Sequence, residues 1–206
     1  MSDGTPVFFV EHTDRVALFL RRYSGDERKC GKTGHFCNAR VFFCDAPAAR
    51  DQKGYYQDVA KEGPPHNDPR WPTVCEACGR GFMATDPYQM FQDAIMRAPA
   101  TGKEWRFRDL PPGACYNTYW DDHHVGPDDR SLVVILPTGH PWHIDSRASN
   151  CILPNDKEHR CWVRHGRPED GTLHVDKNGV TCAAGAGSIA VEGYHGFLHN
   201  GELTAG

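Results

Sequence analysis

The stretch RWPTVCEACGRGF, residues 70–82, carries two cysteines in a Cys-x-x-Cys-Gly pattern. Two cysteines at this spacing on a tight turn direct both sulfurs toward one point, and Gly79 suits the positive φ that such a turn requires. The pattern therefore predicts half of a zinc knuckle. Half of a disulfide and a catalytic dithiol are the alternatives, because both use cysteines at this spacing. No βαβ pattern surrounds the pair, as it would around a thioredoxin-like dithiol.

A second pair of cysteines lies upstream, in KCGKTGHFCNA, residues 29–39. Tetrahedral Zn²⁺ takes four ligands. The two pairs together predict a structural Zn²⁺ site formed by Cys30, Cys37, Cys75 and Cys78. His35 is an alternative ligand to Cys37. A metal here would join the two ends of the polar, Pro- and Gly-rich segment 46–72, which we predict to be a long surface loop.

A further group of cysteines and histidines lies in SRASNCILPNDKEHRCWVRHGRPED, residues 146–170, and continues to Cys182. Cys161 and His165 are four residues apart, a spacing found in metal sites. A possible second metal site is therefore formed by Cys151, Cys161, His165 and Cys182, with His159 as another histidine of the group. A Cys151–Cys161 disulfide and free buried thiols are the alternatives.

No complete catalytic set can be identified, so we predict no catalytic residues. The alternative is a metal-dependent hydrolase that uses His140, His143 and Asp145, together with His159 or His165. His143 and Asp145 would share one face of a strand, and His-x-Asp is a metal-ligand pairing in some enzymes. The histidine-rich DDHHVG, residues 121–126, predicts a solvated loop. CAAGAGSI, residues 182–189, predicts a tight turn, because it lacks the lysine of a phosphate loop.

The composition limits the class of protein. The chain has 206 residues, 39% of them hydrophobic, with no run of about 18 apolar residues that would span a membrane. No basic segment precedes the first apolar run, so we do not expect a signal peptide, and cysteines in a reducing compartment favour metal binding. The net charge is −4. The basic runs RVALFLRRY (15–23) and EWRFRDL (104–110) are short, so general nucleic-acid binding is not favoured, and a local basic patch is the alternative.

The N-terminal half predicts strands and one helix. PVFFVEHTDRVALFLRRY, residues 6–23, predicts two strands with a polar break at 11–15, and NARVFFCDA, residues 38–46, predicts another. DPYQMFQDAIMRAP predicts a helix over 86–98, since Asp86 suits the N-cap, Pro87 the first turn and Gln89 a capping box. Tyr88, Phe91 and Ile95 would share the buried face of that helix.

The C-terminal half predicts β-hairpins, with turns at 137–139, 178–179 and 200–201; the last two contain Asn-Gly. We place a domain boundary near residue 100. The predicted fold class is α+β, mostly β: residues 1–100 form a zinc-ribbon-like β module with one helix, and residues 101–206 form a β-hairpin-rich module.

The segments IDSRASNCILPNDKEHRCWVRHGRPED, CAAGAGSI and YHGFL resemble the C-terminal part of uncharacterised proteins of tailed bacteriophages. HNDPRWPTVCEACGRGF, residues 66–82, and the cysteines near residues 30–39 are similar to the same family. The resemblance covers roughly residues 18–204 and implies a phage origin and a bacterial host, but no activity. The chain departs from the family in having Cys-x-x-Cys rather than Cys-x-Cys at the knuckle, and histidine at position 143.

Composition and resemblance together predict a structural or accessory protein of a phage particle, in its head, neck or tail, stabilised by structural Zn²⁺. Its partners would be other virion proteins in an oligomeric assembly, without a membrane, and its location the virion or the host cytoplasm. The alternatives are the metal-dependent hydrolase and an inhibitor of host defence that acts in the infected cell.

Overall fold

The structure, a computed structural model, describes residues 4–25, 29–60, 63–121, 125–148, 151–153, 155–156, 159–177, 181–182 and 187–206. These residues contain fourteen strands: β1 (Thr5–Pro6), β2 (Phe8–Phe9), β3 (Glu11–Tyr23), β4 (Asn38–Pro47), β5 (Tyr88–Arg97), β6 (Glu104–Arg106), β7 (Ala114–Asn117), β8 (Leu132–Ile135), β9 (Pro141–His143), β10 (Val163–His165), β11 (His174–Asp176), β12 (Ile189–Val191), β13 (Tyr194–His199) and β14 (Glu202–Ala205). The prediction of a mostly β protein is confirmed. The described residues contain only two short 3₁₀ turns, at Phe107–Asp109 and Pro168–Asp170, and no helix long and apolar enough to cross a membrane.

The predicted helix over 86–98 is wrong, because these residues form strand β5. The strand pairs along its length with β3, from Arg22↔Tyr88 to Glu11↔Arg97. Asp86 caps a turn instead, accepting a hydrogen bond from the Met83 N–H at 2.8 Å. The local helix signals were outweighed by pairing with a long neighbouring strand, since helix propensity is a weak preference that tertiary contacts override.

The first sheet has the strand order β4-β3-β5-β6, with all neighbours antiparallel. Strand β3 lies in its centre and runs without interruption through the predicted polar break. The register of β3 against β5 does shift there, between His12 and Val16. The polar residues therefore mark an irregularity within one strand rather than the end of a strand.

The other sheets combine the start of the chain with its second half. Strand β1 pairs with β14, and β2 pairs in parallel with β7. The resulting sheet orders are β1-β14-β13-β12 and β2-β7-β8-β9, and β10 and β11 form a separate two-stranded sheet. Strands on the two sides of the boundary predicted near residue 100 thus pair with each other. Strands β1 and β2 pair with strands after the boundary, and β6, which lies after it, belongs to the first sheet. The division into two domains stays a prediction.

Two of the three predicted hairpin turns lie within the described residues and are confirmed. Gly139 has φ +82° in the turn between β8 and β9, and Asn200 and Gly201 have φ +49° and +76° between β13 and β14. The turn predicted at 178–179 lies outside the described residues. So do residues 122–124 of DDHHVG and residues 183–186 of CAAGAGSI.

The segment between β4 and β5 contains turns and isolated bridges but no strand among its described residues. It is attached to the first sheet by the buried Arg22, which donates a hydrogen bond to the Met83 carbonyl. The Arg22 guanidinium also lies 4.2 Å from the ring centre of Tyr88 and 5.3 Å from that of Phe82. These contacts hold the Cys-x-x-Cys stretch against the end of β3.

Candidate metal centres

The first cysteine pair lies at the two ends of a narrow loop between β3 and β4. An antiparallel bridge joins Lys29 and Phe36, and the Cys30 N–H donates to the His35 carbonyl at 2.5 Å. Gly34, with φ +71°, donates from its N–H to the Cys30 carbonyl at 2.9 Å. His35 itself is exposed, and the loop directs Cys37 rather than His35 to the cysteine group.

The second pair forms the turn predicted from the sequence. The Gly79 N–H donates to the Cys75 carbonyl at 2.9 Å, and Gly79 has φ +72°. The Cys75 N–H donates to the Arg80 carbonyl at 2.8 Å. A positive φ is disfavoured for residues that carry a Cβ, so the glycine allows the chain to reverse directly after Cys78.

The two pairs meet through hydrogen bonds between their turns. The Glu76 N–H donates to the Asn38 carbonyl at 3.2 Å, and the Glu76 carboxylate accepts from the Arg40 N–H at 2.9 Å. The four sulfurs, of Cys30, Cys37, Cys75 and Cys78, all lie within 4.8 Å of one another, and those of Cys37 and Cys78 are 3.7 Å apart. This group fits a metal that binds four thiolates.

The surroundings of the first group favour ionisation of some thiols and oppose it for another. Hydrogen bonds from the Thr33 side chain and from backbone N–H groups lower the pKa of Cys30 to about 6. Burial opposes ionisation of Cys75, but backbone hydrogen bonds outweigh it and lower its pKa. Burial, and then the neighbouring Cys78 and Cys75, raise the pKa of Cys37 to about 12. A divalent cation would remove this mutual repulsion, because thiolates are its ligands.

The second group consists of Cys151, His159, Cys161 and Cys182, whose ligand atoms also lie within 4.8 Å of one another. A parallel bridge between Arg160 and Thr181 brings the adjacent residues Cys161 and Cys182 together, with sulfurs 3.9 Å apart. The His159 Nε2 lies 3.5 Å from the Cys161 sulfur.

Lys177 holds the backbone of this second group in place. Its ammonium donates hydrogen bonds to the carbonyls of Cys161 at 2.9 Å and of Cys182 at 2.6 Å. Burial raises the pKa of Cys161 to about 11. At Cys151 burial acts in the same direction, but the Leu153 N–H and neighbouring side chains outweigh it and lower the pKa. The donor set of three sulfurs and one imidazole is a known tetrahedral Zn²⁺ set.

His165, predicted as the histidine of the second site, is not part of this group. It lies on β10, exposed, with Nε2 3.3 Å from a carboxylate oxygen of Asp176 on the facing strand β11. The strand directs it away from Cys161, whereas His159 precedes Cys161 by two residues and is buried. The sequence signal for His159 as a member of this group is its position two residues before Cys161. The four-residue spacing between Cys161 and His165 favoured the other histidine.

The alternative catalytic residues do not converge. The exposed His140 contacts Thr138, with Nδ1 3.2 Å from the hydroxyl oxygen. His143 has Nδ1 3.3 Å from a carboxylate oxygen of Asp121. Asp145 is buried and accepts a hydrogen bond from the Arg164 guanidinium at 2.9 Å. Within the described residues, neither of the two cysteine-rich groups contains any of these three.

All nine cysteines are free thiols in the structure. Cys44 is half-buried on β4, and Cys115 is fully buried on β7. Burial raises the pKa of Cys115. These two cysteines lie outside both groups.

Comparison with known proteins adds no relative, because no protein-family model, curated protein or solved structure matches the chain. The bacteriophage resemblance therefore stays a prediction.

Proposed function

We propose that this chain is a non-enzymatic structural protein whose two cysteine-rich groups each bind one Zn²⁺ ion, and that it serves as a structural or accessory component of a tailed-bacteriophage particle. The observation that carries the proposal is the number of converging ligands. Each group supplies four side chains, which fills tetrahedral Zn²⁺ and leaves no position for a substrate or a reactive water.

The position of both groups in the chain supports a structural role. The first group joins segments around residues 30–37 and 75–78, on both sides of a long segment without strands. The second joins three short segments that have little regular structure. A metal contributes most to stability where it closes loops that the chain's own contacts hold weakly.

The hydrolase alternative has less support. Its proposed residues, His140, His143 and Asp145, have three different partners and point to no common centre. A cavity of about 500 Å³ lies beside β2 and β6, but its lining is mostly apolar, with Phe8, Trp105 and several prolines, and Lys103 and Glu169 as its charged residues. It lacks the convergent polar and titratable groups expected of an active site.

The assignment to a phage particle is supported by the sequence resemblance and by the properties of the chain. Metal-closed loops suit a small protein that must persist outside the cell. Other virion proteins are the partners in this proposal, and host-defence inhibition is the competing role.

Two experiments test the two parts of the proposal separately. Native mass spectrometry with metal analysis is expected to give two Zn²⁺ per chain, both removed by a strong chelator; one or no Zn²⁺ would contradict the metal assignment. Quantitative proteomics of purified particles from the phage that encodes the chain is expected to detect it at a fixed copy number. Its absence from particles, with abundance in infected cells, would contradict the virion role and favour the inhibitor.

A further inference from the structure

Three phenylalanines form a row across one face of the β4-β3-β5-β6 sheet. Phe19 on the central strand stacks on Phe91 of β5, with ring centres 5.2 Å apart and an interplanar angle of 13°. On its other side it meets Phe42 of β4 edge-on at 5.9 Å. The row therefore spans three adjacent strands.

Two arginines lie over this row, Arg106 from the edge strand β6 and Arg108 from the 3₁₀ turn that follows it. The Arg106 guanidinium is 4.4 Å from the ring centre of Phe42 and 5.0 Å from that of Phe19. The Arg108 guanidinium is 4.9 Å from the ring centre of Phe91 and 5.4 Å from that of Phe19. Each guanidinium thus has one surface on a ring, and such planes also stack on nucleobases.

The centre of this face is buried beneath the two guanidinium groups, where Phe19 keeps only 4% of its surface exposed. The apolar cluster on it consists of sheet residues alone, Ala17, Phe19, Ile95 and Phe91. The opposite face is covered by the segment after β4, through residues such as Ala48, Tyr56 and Val59. Phe42 keeps 42% of its surface exposed, although large aromatic side chains are normally buried in a core.

The face also carries arginines without compensating charge. Alternation along the strands and the ring contacts place six arginines on it: Arg15, Arg21, Arg40, Arg97, Arg106 and Arg108. Three of these pair with carboxylates: Arg15 with Glu104 and with Asp45, Arg97 with Glu11, and Arg108 with Asp93. For the other three, no carboxylate within the described ranges lies at salt-bridge distance.

Two of the uncompensated arginines face each other directly. Arg21 of β3 is the register partner of Arg40 on β4. Like charges directly opposite destabilise an antiparallel pair. The Arg21 side chain is nevertheless held in place, with Nε donating to the Asn38 side-chain oxygen at 2.7 Å. An anion bound between the two guanidinium groups would offset this cost.

We propose that this face, which we call the Phe–Arg face, binds single-stranded nucleic acid. Exposed phenylalanine and stacked guanidinium planes would bind bases, and Arg21, Arg40 and Arg106 would bind phosphates. An acidic peptide would use the charges but not the exposed ring of Phe42 or the free surfaces of the guanidinium planes. A duplex hides its bases, and the sheet presents no helix that would enter a groove.

A net charge of −4 is unfavourable for nucleic-acid binding, but this value sums the charges of the whole chain and does not describe one face of it. The two short basic runs of the sequence, at 15–23 and 104–110, come together on this one face because β3 and β6 belong to the same sheet. The proposal goes beyond the structural role and does not depend on either metal group.

Fluorescence anisotropy of the full chain, with 5′-labelled 20-nucleotide single strands of DNA and of RNA, tests the proposal. A duplex of the same sequence, heparin and poly-glutamate serve as competitors. Binding of single strands is expected to weaken by about 20-fold between 50 and 200 mM salt, since three phosphates contacted by free arginines give a log–log slope of about −2. The duplex and both polyanions are expected to compete at least tenfold less well.

Substitutions separate base stacking from charge attraction. Phe42→Leu keeps an apolar side chain at an exposed position and is expected to weaken binding about tenfold, with the salt slope unchanged. Arg40→Ala is expected to reduce the slope by about 0.7. Arg167→Ala is the matched control, because Arg167 is 62% exposed and lies outside the first sheet; binding is expected to stay within twofold. Circular dichroism and metal content verify that each variant is folded.

Three results would overturn the proposal. The first is no binding of either single strand at 50 mM salt by folded, metal-loaded protein. The second is equal competition by heparin or poly-glutamate with no effect of Phe42→Leu, which indicates general attraction of polyanions or an acidic protein partner. The third is an equal loss of binding in Arg167→Ala and Arg40→Ala.

Discussion

The sulfurs of Cys37 and Cys78, 41 residues apart in the sequence, lie 3.7 Å from each other. In a tetrahedral Zn²⁺ site with bonds of about 2.3 Å, neighbouring sulfurs are about 3.8 Å apart. The separation of these two sulfurs therefore fits two ligands of one ion, and it brings the two ends of the segment between them together.

Cys78→Ala is expected to lower the Zn²⁺ content from two ions to one and to unfold the N-terminal half, because three remaining ligands no longer hold the ion that closes the loop. Metal analysis with native mass spectrometry measures the first effect. Loss of amide protection around residues 29–37 and 73–82 in hydrogen exchange measures the second.

Cys44→Ala is the matched control for this variant, since Cys44 is a half-buried cysteine outside both groups. It is expected to keep both ions. A Cys78→Ala protein with wild-type metal content and wild-type thermal stability would rule out the assignment of this residue as a ligand.

The second group predicts different effects for two histidines of one segment. His159→Ala is expected to lose the second ion, since it removes one of four converging ligands, while His165→Ala keeps it because His165 pairs with Asp176 at the surface. Cobalt substitution gives the readout, as tetrahedral Co²⁺–thiolate absorption falls by about half when one of two sites is lost. A loss with His165→Ala instead would restore the ligand set predicted from the sequence.

Arg164 stabilises the C-terminal half by pairing with two carboxylates. Its side chain is 3% exposed and donates to the buried carboxylate of Asp145 at 2.9 Å and to that of Asp128. Arg164→Leu is expected to lower the free energy of unfolding by about 3–5 kcal/mol, because it leaves the buried Asp145 charge without its partner. Urea unfolding of the metal-loaded protein measures this change.

The double variant Arg164→Leu/Asp145→Leu is expected to be more stable than Arg164→Leu alone, since it removes the isolated charge as well. Glu11→Gln serves as the control, because its pair with Arg97 is solvent-exposed, and the unfolding midpoint should hardly move. A double variant that is less stable than Arg164→Leu would show that packing rather than charge dominates here.

His12 makes the stability of the protein depend on pH in the mildly acidic range. Burial, and then the positive charge of Arg50, lower the pKa of His12 to about 4 from an ordinary 6.5. Between these two pH values the unfolded chain binds a proton that the folded chain does not. The stability contributed by neutral His12 is therefore full above pH 6.5 and is lost as the pH falls toward 4.

His12→Phe keeps an aromatic ring beside Tyr119 and Tyr56 but cannot titrate. Between pH 7 and 4.5 the wild type is expected to lose about 2 kcal/mol more stability than this variant. Chemical unfolding at a series of pH values gives the difference, in which contributions of other groups cancel. Parallel pH profiles for the two proteins would show that His12 does not titrate in this way.

The features that depend on local chemistry were predictable from the sequence. The turn at Gly79, the hairpins at 137–139 and 200–201 and the convergence of Cys30, Cys37, Cys75 and Cys78 follow from residue type and spacing. The segment 88–97 was not predictable in this way. Its capping residues and its Tyr88, Phe91, Ile95 spacing satisfy a helix, while Phe91 and Ile95 are equally compatible with one face of a strand. Pairing with β3 decided between the two.

The Phe–Arg face shows why other features escaped prediction. Arg21 and Arg106 lie 85 residues apart, and neither basic run reaches the length of a nucleic-acid-binding segment by itself. Only the order of strands in the sheet places them together. The choice of His159 over His165 likewise depends on which way a strand directs its side chains.

The pairing of β1 with β14 and of β2 with β7 has a consequence for synthesis on the ribosome. The strand that β2 needs is translated about 105 residues after it, and the strand that β1 needs is translated about 195 residues after it. Strands β1 and β2 therefore remain unpaired during these intervals of synthesis, and contacts of such long sequence separation form slowly. A nascent chain that stalls before residue 202 lacks β14 and therefore exposes an open sheet edge to other nascent chains nearby.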